Sequence, residues 1–247
     1  MAGAALAVSL ATSQAAPVYS QNVVGYATPS APPAYEYSLW ECPFVMGASN
    51  GANEVFGTDG VTSGKGLPDG SSVITWNPNT QQPVIAVYDT SVDNNASGWY
   101  LYDDYTAGPI PILAPGTGFY LLPNGSMTAP TFVGSVTPNI GGTKTINISA
   151  YAYEYVLAGS TIPFSGAVDN TSGINLSSLP DGSSVITWNP NTQQPVIAVY
   201  DTTVGNNPDN WYLYDDFTPG PDPSIGVAQG FYILPNGVYS WTQTLTP

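Results

Sequence analysis

Residues 67–90 read LPDGSSVITWNPNTQQPVIAVYDT, and residues 179–202 repeat them without a difference. Each copy is a short β-branched run (VITW), a turn (NPNTQQ) and a second apolar run (PVIAVY). Val, Ile, Thr, Tyr and Trp suit a pleated, half-buried surface. Pro sets φ and Asn tolerates the left-handed region, so the segment reads as a β-hairpin. The stretch starts at 67 in one copy and 179 in the other, an offset of 112. The same offset carries Trp99 to Trp211, Gly118-Phe119-Tyr120 to Gly230-Phe231-Tyr232, and Pro123-Asn124-Gly125 to Pro235-Asn236-Gly237.

A fixed internal period predicts one structural unit used twice. Residues 16–138 and 139–247 are the expected units, each of a size that supports one core. The residues Ala34-Tyr35-Glu36-Tyr37 recur at 152–155, an offset of 118, so insertions fall within 42–66. That Gly/Ser/Asn-rich stretch reads as a surface loop. Residues 138–142 (PNIGG) read as the linker between units.

The strands expected in the first unit are 35–39, 72–76, 83–88, 99–102, 119–122 and 131–136. Those in the second are 153–157, 184–188, 195–200, 211–214, 231–234 and 240–245. No window carries a 3.6-residue apolar period, so almost no helix is expected. Six or seven short antiparallel strands per unit predict an all-β fold of two tandem homologous antiparallel β-sandwich domains, or small barrels. Residues 84–87 (VIAV) and 119–122 (FYLL) are apolar on both faces, whereas a sheet with one wet face alternates. Their outer faces are therefore expected to be covered, by the other unit or by another subunit. Each large apolar side chain so covered contributes roughly 1.5–3 kcal/mol.

Composition limits the function. Of 247 residues 17 are acidic and two, Lys65 and Lys144, are basic, and there is no histidine, which gives a net charge of −15. Nucleic-acid binding needs cations against phosphates and is excluded on this count. Anionic membranes are unfavourable for the same reason, and no stretch is long and apolar enough for a membrane span. Without His and with a single Cys42 there is no Ser-His-Asp or Cys-His arrangement and no multi-ligand zinc site. Asp103-Asp104 and Asp215-Asp216 are paired carboxylates, but neighbours on a strand point to opposite faces and do not form a facing acid–base pair. The chain therefore reads as a non-enzyme. Cys42 has no evident counterpart in the second unit and reads as a small buried hydrophobe.

Two sets of side chains remain as binding candidates. Asp89, Asp93, Asp103 and Asp104 flank one polar loop, and Asp201, Asp209, Asp215 and Asp216 flank its counterpart, so a hairpin would gather oxygens for Ca²⁺, although not at EF-hand spacing. Trp99, Tyr100, Tyr102 and Tyr105 form an aromatic run, repeated as Trp211, Tyr212, Tyr214 and Phe217. Such amphipathic rings suit glycan stacking or a protein interface, and equally core and cross-strand packing.

Residues 1–16 read MAGAALAVSLATSQAA, apolar and ending in a small-x-Ala pattern, so 1–15 are expected to be a secretory signal. If retained, Leu6, Val8 and Leu10 alternate at period two and would serve as a donor strand for a neighbouring subunit.

The order NVVGY (22–26), LPDGSSVITWN (67–77), GTGFYLL (116–122) and FVGSV (132–136) resembles a group of small secreted bacterial proteins with an NVVGY…DGSxVxxWN…GxGFY…FVGxV pattern. In the second unit 179–189 and 230–234 match, residues 139–142 echo the opening only faintly, and 241–245 lack the FVG triplet. The resemblance implies secretion and β structure, and it carries neither an activity nor catalytic residues. The expected role is a secreted, self-assembling structural subunit of a filament, surface layer or matrix, partnered by itself. The alternative is a carbohydrate-binding or adhesive module.

Overall fold

A computed structural model describes residues 24–57, 66–92, 95–136, 143–149, 153–170 and 173–244. The expected donor segment with Leu6, Val8 and Leu10, the linker and Asp93 lie outside these residues. The first half runs β1 (Val24–Ala27), β2 (Ser38–Glu41), β3 (Phe44–Val45), α1 (Ala52–Phe56), β4 (Ser71–Asn77), β5 (Gln82–Tyr88), β6 (Trp99–Leu101), β7 (Gly118–Leu122) and β8 (Phe132–Val136). The second runs β9 (Thr143–Ser149), β10 (Val156–Ala158), β11 (Gly166–Ala167), β12 (Ser183–Asn189), β13 (Gln194–Tyr200), β14 (Trp211–Leu213), β15 (Ser224–Ile225), β16 (Phe231–Leu234) and β17 (Tyr239–Thr244). Strand accounts for 40% and helix for 3%, in several antiparallel sheets with no closed barrel, so the chain is all-β and the barrel alternative falls away. Among the described residues no helix is long and apolar enough to cross a membrane.

The repeated stretch forms the centre of two five-stranded sheets with the same order, β2-β7-β4-β5-β6 and β10-β16-β12-β13-β14. Its hairpin register is identical in both, from Asn77↔Gln82 to Ser71↔Tyr88 and from Asn189↔Gln194 to Ser183↔Tyr200. The turn is closed by the Asn side chain: Asn77 Oδ1 accepts the N–H of Asn79 at 3.0 Å, and Asn189 Oδ1 accepts that of Asn191 at 3.0 Å. Gln81 and Gln193 take the left-handed conformation that completes it, with φ 53° and 54°.

Each sheet buries one face. In the first half Val73, Ala86, Phe119 and Leu121 join Trp40 and meet Phe44, Phe56 and Phe132. Phe132 belongs to the three-stranded sheet β1-β8-β3, and its ring stands edge-on to Trp40 at 6.1 Å. In the second half the layer opposite is the β17-β9 pair, whose Trp241 lies 6.3 Å from Phe231. Both halves are thus layered sheet against sheet. The two cores are not insulated, because Ile162 and Ala228 of the second half belong to the first cluster and Phe164 touches both.

Three expectations need correction. The strands expected at 35–39 and 153–157 begin later, at Ser38 and Val156, because Tyr35 and Tyr153 are left-handed turn residues with φ 61° and 65°. Their N–H groups bond the carbonyls of Pro123 and Pro235 at 2.9 Å. The stretch 42–57 is not a surface loop: it holds β3 and α1, and Val55 and Phe56 lie in the core. Five residues are too few to register a helical period. Glu54 fixes the turn before α1 by accepting the N–H groups of Ala48, Ser49 and Gly51 at 2.7, 3.1 and 3.0 Å. Finally, Cys42 does have a counterpart. Its thiol approaches the Phe44 carbonyl at 3.6 Å, and at the 118-residue offset the Ser160 hydroxyl donates to the Ile162 carbonyl at 2.6 Å. Burial pushes the Cys42 thiol up to about 12, so it is an inert, protonated core group.

Candidate functional site

The expected aromatic surface splits in two. Trp99, Tyr100, Trp211 and Tyr212 are fully buried, whereas Tyr102 and Tyr214 are each 61% exposed. Trp99 lies in the core, and Tyr100, on the opposite face of the edge strand, is covered by the adjoining loop: it donates its hydroxyl to the Val92 carbonyl at 2.6 Å and stacks on Tyr105 at 5.2 Å. Tyr105 in turn donates to Asp89 Oδ2 at 2.7 Å, which lifts its phenol to about 12. Tyr212 stacks on Phe217 in the same way, at 5.2 Å. Only the Tyr102 and Tyr214 rings, with parts of Tyr105 and Phe217, remain for a ligand to cover.

Four of the eight acids expected to gather around Ca²⁺ are occupied one by one. Asp89 accepts Ser91 Oγ at 2.6 Å, Asp104 accepts Thr106 Oγ1 at 2.7 Å, Asp201 accepts Thr203 Oγ1 at 2.6 Å and Asp216 accepts Thr218 Oγ1 at 2.8 Å. Each also takes the backbone N–H two residues on, so each closes its own turn, and these bonds hold all four below the usual carboxylate range. Among the described residues no three Asp, Glu or Cys side chains come together in a metal-holding group. Asp222 behaves differently: burial, with Asp169 and Asp209 nearby, raises it to about 6.

A site that the sequence reading missed lies where the two five-stranded sheets meet. Tyr120 of β7 contacts Trp188 of β12 at 5.5 Å and Tyr232 of β16 at 6.1 Å, while Tyr232 contacts Trp76 of β4 at 5.7 Å. The indole of Trp76 donates to the Tyr155 carbonyl at 2.8 Å, and that of Trp188 donates to the Tyr37 carbonyl at 2.9 Å. The side-chain carbonyl of Gln81 accepts the Tyr155 N–H at 2.7 Å, and that of Gln193 accepts the Tyr37 N–H at 2.8 Å. Backbone bridges Thr117↔Ala158 and Trp40↔Gln229 complete the joint. Each of these contacts has a twin obtained by exchanging the copies. This is isologous, two-fold packing within one chain. Gly118 and Gly230 permit it, because a Cβ on either would lie 2.6 Å from the carbonyl oxygen of Ala158 or Trp40. Burial pushes the Tyr120 phenol up to about 12 and raises that of Tyr232 as well.

The joint accounts for the outer face of β7, which was expected to need cover. The signal available in the sequence was the second repeat, AYEY at 34–37 and 152–155, whose tyrosines approach the tryptophans of the opposite copy. Beside the joint is an open cleft of about 490 Å³, lined among others by Pro32, Pro33, Trp40, Trp188, Pro190 and Gln229. No ionisable side chain lines it, so it offers shape and hydrogen-bonding groups but no general acid or base. No family model matches the chain, and no curated protein or solved structure matches it.

Proposed function

We propose that the chain is a non-enzymatic structural protein that is secreted and assembles with further copies of itself, as a subunit of an extracellular filament, surface layer or matrix. The observation that carries this reading is the outer face of the sheet β1-β8-β3. Tyr26 is 79% and Val24 66% exposed there, beside exposed Val133 and Val45. β1 and β3 are the edge strands of that sheet. A row of exposed apolar side chains on a sheet with open edges favours pairing with another chain. Charge is sparse, at 8% of residues, but its net value of −15 opposes the approach of copies, so the apolar row must outweigh that repulsion. Sedimentation of the purified protein over a range of concentrations, with and without Ca²⁺, followed by electron microscopy, tests the proposal. Oligomers or ordered assemblies are expected, and a strictly monomeric species at high concentration would defeat it.

A second reading is glycan binding, favoured by the paired exposure of Tyr102 and Tyr214 next to Asp103-Asp104 and Asp215-Asp216. Glycan-array binding that is lost on Tyr102→Ala or Tyr214→Ala supports it. An array without signal removes it. Trp99 and Trp211 are unsuitable probes, since both are buried and their loss would unfold the sheet edge.

A further inference from the structure

The joint is symmetric in the contacts described above, but its side chains differ at one central pair. Glu41 ends β2, and the equivalent residue of the second copy, 118 positions on, is Gly159. Their backbones are used alike: the Glu41 N–H donates to the Ala228 carbonyl at 2.9 Å, and the Gly159 N–H donates to the Gly116 carbonyl at 3.0 Å. Ala228 and Gly116 are themselves 112 residues apart. The side chains are not alike. Glu41 is fully buried, and neither of its carboxyl oxygens makes a hydrogen bond of good geometry; only the Ser160 backbone lies close enough to temper its charge. It occupies the space that Gly159 leaves open, because a Cβ on Gly159 would lie 2.6 Å from the Glu41 Cβ and 2.6 Å from its Oε2. Gly159 does not have the positive φ that reserves a position for glycine. What requires glycine there is space.

We infer that Glu41 and Gly159 form a one-sided key that lets the joint close only between a first copy and a second copy. Two first copies would bring Glu41 against Glu41, with two unpaired carboxyls competing for one buried gap. Crowding and the lack of partners both oppose that arrangement. Two second copies would bring glycine against glycine and leave a void where the side chain now sits. The partner that fits the first-copy face is therefore a second-copy half, supplied by the same chain or by another molecule of it. Were halves to exchange between molecules, the order would be first-to-second throughout, head to tail, because like pairs are rejected. The inference does not rest on the assembly proposed above.

The test is a reciprocal exchange in the full chain, with Gly159→Glu, Glu41→Gly and the double variant Glu41→Gly/Gly159→Glu compared by thermal unfolding. Gly159→Glu is expected to lower Tm by about 5 °C or more, since an overpacked site of this kind costs a few kcal/mol and each is worth roughly 2–4 °C in a chain of this length. The double variant carries one acid again, entering from the opposite side, and is expected to recover at least half of that loss. If Gly159→Glu does not fold, folding of the double variant is the equivalent result. An unaffected Gly159→Glu protein, or a double variant that recovers less than half, overturns the inference.

Discussion

Trp76 donates its indole N–H to the backbone carbonyl of Tyr155, 79 residues further along the chain, at 2.8 Å. A side chain of the exactly repeated hairpin thus reads the backbone of the less exact AYEY repeat in the other copy, and Trp188 does the same to Tyr37 at 2.9 Å. The repeated stretch is constrained twice, by its own strand pairing and by the joint it makes with its twin.

The symmetry predicts matched losses. Trp76→Ala and Trp188→Ala each remove one hydrogen bond and edge-on aromatic contacts from a half-buried position. Each is expected to cost about 2–4 kcal/mol, and the two values should agree within about 1 kcal/mol. Chemical denaturation of the two variants measures this. A silent substitution on one side beside a costly one on the other would mean that the joint is not shared equally.

Glu41 predicts a pH dependence. Burial raises its pKa well above the ordinary 4.5, tempered only by the Ser160 backbone, and the titratable group beside it is Cys42, which stays protonated. The folded state therefore holds a proton that the unfolded chain releases at lower pH. The stability tied to that proton is fully present below pH 4.5 and is lost as pH rises towards the folded pKa, at up to about 1.4 kcal/mol per pH unit. Asp222 adds the same sign between 3.8 and about 6. The lowered carboxyls of Asp89, Asp104, Asp201 and Asp216 act in the opposite direction, and their contribution fades as pH falls through their folded values. Glu41→Gln should therefore flatten the decline in Tm that sets in as pH rises above 4.5. An unchanged slope in that variant would show that Glu41 is not its source.

The strands of the five-stranded sheets were legible because they are short runs of Val, Ile, Tyr and Trp between Asn, Pro and Gly turns, and the hairpin 71–88 could be read almost to the residue, whereas β1, β3, β9, β11 and β15 match no expected strand. The joint was not legible. It joins residues from 41 (Thr117 and Ala158) to 189 (Trp40 and Gln229) positions apart, and no local period marks such a pair. Cover for Phe119–Leu122 was expected from the pattern, but its identity, the aromatic face of the other copy, is a tertiary fact. The sequence left Trp99 and Tyr100 open between a binding surface and core packing, because Trp-Tyr-Leu-Tyr is aromatic or apolar on both faces. The polar loop that closes over Tyr100 leaves no trace in that pattern. α1 was missed for its length, and with it the partner of a buried indole.

That partner makes the two copies unequal. Trp99 donates its indole N–H to Asn53 of α1 at 2.6 Å, whereas among the described residues the buried Trp211 N–H has no partner and the second copy has no equivalent helix. Replacing Trp99 by Phe removes a hydrogen bond that the Asn53 side chain accepts, while replacing Trp211 by Phe removes a buried donor that makes none. Trp211→Phe is expected to cost about 1–2 kcal/mol less than Trp99→Phe. Equal costs in urea denaturation would indicate that the Trp211 donor is satisfied in solution.

Calcium offers the last test. Asp89, Asp104, Asp201 and Asp216 already accept bonds from the hydroxyl and N–H two residues on, so a cation must compete with a closed turn at each. A ligand present at 100 times its Kd would stabilise by about 2.7 kcal/mol, several degrees in Tm. With the acids engaged singly, 1 mM Ca²⁺ is expected to shift Tm by less than about 2 °C. A larger, saturable rise that disappears in Asp103→Asn or Asp215→Asn would show instead that these loops rearrange around the ion.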